Sequence, residues 1–199
     1  VPSAQYCCVV AHRNRVDPFG EITAEPYRGA WMGNRGGAID VGSHRRQWAS
    51  KAWIYCHLKF KTRTTVFRDP SRKYTELFFF DEAVALTAGH RPCGQCQHDR
   101  LAEFKIATLG RRASVGDIDD VLHRERRGDR DITSIGSLPS GTFVDVDGPT
   151  LLLDGRALRW SPNGYVQLAA PGADTTVPVL TPALIRTALA RGFVPTVSE

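Results

Sequence analysis

The sequence predicts an α+β protein: a small irregular sheet with short helices gathered on a C-x-x-C turn, then a β-meander and a C-terminal helix. Three observations predict it. Short aromatic and β-branched runs alternate with turn-rich stretches up to about residue 80. Helical spacing of apolar residues dominates from there to about residue 126. Beyond that, short alternating runs are separated by Asp-Gly, Asp-Gly and Asn-Gly pairs, the strongest short-range hairpin signal.

Residues 21–24, 52–60, 64–67 and 76–80 have strand composition, interrupted by Gly33-Asn34-Arg35-Gly36-Gly37 and Arg68-Asp69-Pro70-Ser71. Asp81 is placed to cap a short helix over 82–88, because its carboxylate can accept from the free amides of the first turn, and Gly89 ends it. From 97 to 109, Leu101, Phe104, Ile106 and Leu109 recur at helical spacing before Gly110. A further helix over 117–126 turns Ile118, Val121 and Leu122 inward. The meander comprises 142–146, 150–153, 157–160, 165–168 and 177–180. Thr181 before Pro182 then caps a closing helix over 182–190, with Leu184, Ile185 and Leu189 inward and Gly192 as its stop. These patterns divide the chain into residues 1–127 and residues 128–199, packed together as one unit.

At 199 residues and 42% hydrophobic composition, the chain can bury a real core. No run approaches the roughly 18–20 apolar residues of a membrane span, so no membrane partner is expected. The five cysteines are Cys7, Cys8, Cys56, Cys93 and Cys96. An odd number with two adjacent, and no leader-like opening segment, fits a reduced, cytoplasmic protein better than a disulfide framework.

Cys93-Gly94-Gln95-Cys96 is half of a metal site: zinc takes four ligands in a structural site, or three and an open position in a catalytic one. Cys56, in the apolar run Trp53-Ile54-Tyr55-Cys56-His57, is the best third ligand. For the fourth, His90 precedes Cys93 by three residues. His98 and His57 are the alternatives, although neighbours on a strand point to opposite faces. An imidazole ligand would need an outer partner such as Asp99 or Glu82. Buried free cysteines acting as small hydrophobes are the competing explanation.

The net charge of +5 is unevenly placed. Arg45, Arg46, Lys51, Lys59, Lys61, Arg63, Arg68, Arg72 and Lys73 precede the C-x-x-C, and Arg111, Arg112, Arg124, Arg126, Arg127 and Arg130 follow it. Basic clusters on both sides of one site suit a polyanion, since cations that neutralise phosphates release counterions. Arg45, Arg46, Lys59, Lys61, Arg63 and Arg91 are the candidate nucleic-acid contacts. Trp31, Trp48, Trp53, Tyr55 and Tyr74 either stack on bases or fill a small core. His123, Glu125 and Asp119 form the candidate catalytic group, Asp119 lying one helical turn from His123. Walker, dinucleotide, G-x-S-x-G and H-E-x-x-H motifs are absent, which excludes those enzyme classes.

The run from Phe78-Phe79-Phe80-Asp81 through Ala88-Gly89-His90-Arg91-Pro92-Cys93-Gly94-Gln95-Cys96 resembles the second half of the zinc module at the N-terminus of the Ada DNA-repair protein. There an aromatic strand leads into an alanine-rich helix, a glycine, Arg-Pro and a C-x-x-C. The resemblance covers residues 56–97 at its widest. It implies Cys93 and Cys96 as zinc ligands and Cys56 as partner from the earlier half. In that family four thiolates hold zinc, and one accepts a methyl group from a DNA phosphotriester. Here Phe60 stands four residues after Cys56, so the earlier pair is incomplete. The chain as a whole is similar to a group of bacterial proteins sharing Arg-Asn-Arg-Val and Pro-Phe-Gly near the start. The resulting expectation is a zinc-containing DNA-binding protein of repair, modification or defence, with glycosylase or nuclease activity. A stoichiometric thiol methyl acceptor using Cys56, or a non-enzymatic nucleic-acid-binding module, is the alternative.

Overall fold

Gly33 and Asn34, which open the glycine-rich stretch that reads as a turn, instead complete a central strand over residues 31–34. Gly33 makes this possible: a Cβ there would meet the Ile54 carbonyl oxygen at 2.2 Å and the Phe79 ring at 2.7 Å, so only glycine allows the neighbouring strands to close. The computed structural model describes residues 12–42, 47–61, 63–64 and 73–198, with backbone alone at 63–64. Cys7, Cys8, Arg45, Arg46, Arg68, Arg72 and the 65–67 part of one expected strand lie outside the described residues.

In chain order, β1 (Arg15–Val16), β2 (Ile22–Thr23), β3 (Trp31–Asn34), β4 (Ile54–His57), β5 (Lys59–Phe60), β6 (Arg63–Thr64) and β7 (Leu77–Phe79) lead into α1 (Glu82–Thr87). Then come β8 (Arg91–Pro92), α2 (His98–Thr108), α3 (Val115–Glu125) and β9 (Ile132–Ser134). The chain continues through β10 (Thr142–Asp145), β11 (Pro149–Leu153), β12 (Arg156–Ser161), β13 (Gly164–Leu168), β14 (Thr176–Pro178) and α4 (Ala183–Ala190). The architecture is mixed α+β. A six-stranded mixed sheet has the order β2-β1-β7-β3-β4-β8, and the meander is a four-stranded antiparallel sheet, β10-β11-β12-β13. β14 pairs with β9, and β5 with β6.

Local chemistry explains most element ends. Asp81 Oδ1 accepts from the Val84 amide at 2.8 Å, capping α1. α3 begins earlier than its apolar spacing suggests, because Ser114 and Asp117 form a reciprocal capping box. The turn between β11 and β12 has positive φ at both Asp154 and Gly155, as a tight hairpin requires. α4 departs from expectation at its start: Pro182 is its N-cap without a side-chain cap, and Thr181 points elsewhere, accepting from the Phe143 amide and meeting the Thr87 hydroxyl. Ile106 and Leu109, expected inside α2, are 46% and 41% exposed; their positions fall off the stripe that Leu101 and Phe104 bury.

Two cores join the chain across residue 127. One combines Val16, Tyr55, Leu77 and Phe79 of the first sheet with Phe104, Ile118 and Leu122, and with Leu184, Ile185 and Ala188 of α4. The other packs Ala83 and Val84 of α1 against Phe143, Leu151 and Trp160 of the meander. The apolar stripe of α1, buried along its whole length, therefore serves both sheets.

Candidate metal centre and its surroundings

A parallel pairing at the sheet edge builds the centre. β8 runs beside β4 with Ile54 opposite Arg91 and Tyr55 opposite Pro92, so the next residue on each strand, Cys56 and Cys93, is brought into one place. The Cys93 amide donates to the Tyr55 carbonyl at 3.0 Å, and the turn that follows returns Cys96 to the same spot. The ligating atoms of Cys56, Cys93 and Cys96 all lie within 4.8 Å of one another. All three cysteines are buried and free, packed among Met32 and half-buried Ile54, Phe60 and Phe78.

The donor set fits a soft or borderline metal ion. Zinc–sulfur bonds of about 2.3 Å put sulfurs roughly 3.8 Å apart in a tetrahedron, so the group needs only a small contraction. Backbone amides already face the sulfurs: Gln95 donates to Cys93 Sγ at 3.4 Å, the Cys96 amide also reaches Cys93, and the His57 amide reaches Cys96. Such donors stabilise thiolate charge. Hydrogen bonds from the Cys56 and Cys96 thiols pull Cys93 below the ordinary thiol range against the effect of burial, while hydrogen bonds to Cys93 and Cys96 push Cys56 up.

Among the described residues, no histidine or carboxylate joins the three sulfurs. His90 is withdrawn from the expected ligand set. Its ring is fully buried against Trp53 and Phe79, at centroid distances of 5.0 and 4.6 Å, and its Nε2 faces Arg35. Cys96 does line an open depression of about 360 Å³ shared with His57, His98, Arg100 and Trp31. The His57 ring leans on Trp31, and the His98 side chain is 82% exposed with Nδ1 near Asp99. Glu82 is engaged elsewhere, accepting from the Tyr55 hydroxyl at 2.5 Å, from Arg100 and from the Thr196 amide.

The chain matches no family model, no curated protein and no solved structure.

The other expected site residues separate. Arg91, expected at phosphates, is buried and forks onto Asp119 with contacts of 2.7 and 2.8 Å. That bidentate pair occupies Asp119, which consequently does not orient His123 as its helical spacing suggests. His123 lies edge-on to Trp48 at 5.9 Å. Both carboxylate oxygens of Glu125 accept from the Leu184 amide at the start of α4, supplying the cap that Thr181 does not. Burial raises the Glu125 carboxyl above its ordinary range. Lys59 and Lys61 are exposed on the β5–β6 hairpin directly after Cys56.

A second feature escapes motif reading. Behind the centre, the guanidiniums of Arg35 and Arg126 both lie over the Trp53 ring, at 3.8 and 4.2 Å from its centroid. Arg35 is 0% exposed although it stands in a run of glycines that reads as a surface loop. The signal was those glycines: Gly36 has φ of +88° and its missing Cβ leaves room for Ser50, which lets the loop fold inward. Trp53 and Arg126 form part of the wall of a cavity of about 280 Å³ between the first sheet and the 179–183 segment that follows the meander.

Proposed function

We propose that the protein is a zinc-dependent nucleic-acid-binding protein acting on DNA, with Cys56, Cys93 and Cys96 as the metal ligands. The observation that carries this reading is the buried trio of sulfurs, of which Cys96 lines an open depression. Thiolates favour zinc over hard cations, and three protein ligands with an open side are the pattern of a site whose fourth position is taken by solvent or substrate. When bound, zinc would supply Lewis acidity at that position.

Exposed cations support the polyanion. Lys59 and Lys61 are exposed on either side of Phe60, which packs against the three cysteines, and Arg111, Arg112, Arg124, Arg127 and Arg130 are exposed on and after the helices. Methyl acceptance at Cys56 has less support, because Cys56 is 4% exposed and is not among the residues lining the depression.

Metal analysis and DNA binding test the reading together. The purified protein is expected to carry one zinc that Cys93→Ser loses, and to bind duplex or single-stranded DNA with an affinity that falls steeply with salt. Metal-free protein that is fully folded, or binding indifferent to salt, overturns it. An increase in intact mass after incubation with phosphotriester-containing DNA would instead favour the acceptor chemistry.

A further inference from the structure

A fully buried arginine, Arg35, and a half-buried one, Arg126, neither in an ion pair among the described residues, carry a second site. Neither Arg35 nor Arg126 has a carboxylate within ion-pair distance among the described residues; Asp119, the acid that acts most on Arg126, is held by Arg91, and Glu21 and Asp17 act on Arg35 only from beyond that distance. Arg35 donates to the Gly20 carbonyl at 2.7 Å, and Arg126 to the Gly89 and Lys51 carbonyls at 2.6 and 2.8 Å. These neutral acceptors pair neither charge directly, and among the described residues Arg35 Nη1, Arg126 Nε and Trp53 Nε1 are buried with no hydrogen-bond partner. Burial and the charge of Arg126 pull Arg35 down to about 9, and burial pulls Arg126 down to about 10. Two cations and three orphaned donors around one indole are costly unless an anion satisfies them.

The cavity beside them has matching chemistry. Trp53, Arg126 and the Gly20 backbone lie on its wall, and Trp48, 39% exposed, lies 6.3 Å from Trp53 and tilted 45° to it. The same wall carries four carboxylates, Glu21, Glu125, Asp129 and Asp131, together with Arg130; Glu125 is bonded to the Leu184 amide and Asp131 to Arg186. A purely anionic ligand would be repelled by those carboxylates. A ligand with a phosphate at one end and a planar, N–H-bearing ring at the other would meet Arg126 with the first and the carboxylates with the second, while Arg35, on the Trp53 ring, is not itself part of the wall. At about 280 Å³ the cavity lies at the small end of ligand pockets.

We propose that this cavity is a nucleotide pocket, with the phosphate held at the Arg126–Trp53 wall and the base against Trp48. The choice of a base as the planar part rests on the nucleic-acid reading above. The phosphate comes either from a free mononucleotide or from an unpaired nucleotide of a strand, which would have to be turned out of any duplex to enter.

Calorimetric titration with thymidine 5′-monophosphate, thymidine, inorganic phosphate and a short oligothymidylate tests the pocket. The monophosphate is expected to bind saturably, and thymidine and phosphate alone at least about tenfold more weakly. Trp48→Ala should weaken the monophosphate about tenfold at an unchanged melting temperature. Arg126→Gln should collapse the preference for the monophosphate over thymidine; that ratio, taken on one sample, is insensitive to any loss of folded protein. No saturable binding, phosphate alone binding as well as the nucleotide, or an unchanged ratio in Arg126→Gln overturns the proposal. Oligothymidylate binding that survives Trp48→Ala without mononucleotide binding overturns the pocket and spares the nucleic-acid reading. Mononucleotide binding without oligonucleotide binding does the reverse.

Discussion

Tyr55 and Pro92 are register partners in a parallel pair, and the Tyr55 carbonyl accepts from both the Cys93 amide at 3.0 Å and Gln97 Nε2 at 2.7 Å. One backbone oxygen thus clamps the two ends of the C-x-x-C turn to the strand that carries Cys56. Gln97 is buried, so its amide is a positioning group for the thiolates. Gln97→Leu removes one clamp and leaves that oxygen its bond to Cys93. The expected result is a stability loss of about 1 kcal/mol and zinc affinity roughly tenfold lower, read by competition with a chromogenic chelator. Unchanged affinity would show that the Cys93 amide alone aligns the turn.

Arg91 and Asp119 bind β8 to α3 across the interior, with side chains 8% and 12% exposed. Truncating either one strands the other charge in a buried site. Asp119→Ala is expected to destabilise by about 3–5 kcal/mol in urea unfolding, and an Arg91→Met, Asp119→Leu double variant by much less than the two single changes added together. Additive losses would mean that the two side chains act independently. Arg91→Lys keeps the charge and loses the fork, so it should fall between wild type and Asp119→Ala.

The proximity of Cys93 and Cys96 was legible from sequence because C-x-x-C spacing is a local property, and Asp81 was legible because a cap is set by a few neighbouring residues. What sequence could not supply was pairing. Nothing local distinguishes Arg91-Pro92 as a strand; it is one because the Trp53 and Tyr55 carbonyls accept from the Arg91 and Cys93 amides. The partners of Arg91, Asp119 and Glu125 were hidden for the same reason. Each meets a partner at least 28 residues away, which no local pattern reveals. Arg35 is the extreme instance, an arginine among glycines that ends at the centre of the molecule.

Glu125 supplies a test that separates capping from catalysis. Its carboxylate receives the Leu184 amide at the N-terminal end of α4, where a negative charge also meets the positive end of the helix dipole. Glu125→Ala is expected to cost about 1–2 kcal/mol in thermal or urea unfolding. Glu125→Gln, which keeps an acceptor and loses the charge, should cost less. Equal stability of all three proteins would show that the contact contributes nothing to the fold.

Asp81 predicts the pH dependence. Burial raises its carboxyl to about 6, against the opposing bonds from the Val84 amide, the Tyr165 hydroxyl and the Ser198 amide. Because the folded state holds this proton more tightly than the unfolded chain, the stabilisation is complete below the unfolded value near 4 and is lost as pH rises through about 6. Asp17, also raised to about 6 by burial, acts in the same direction. Asp81→Asn retains a capping oxygen and cannot ionise. Between pH 4 and 7 the wild type should therefore lose about 2–3 kcal/mol relative to Asp81→Asn in parallel urea titrations. Parallel pH profiles for the two proteins would place the Asp81 carboxyl in its ordinary range and assign the pH dependence to other groups.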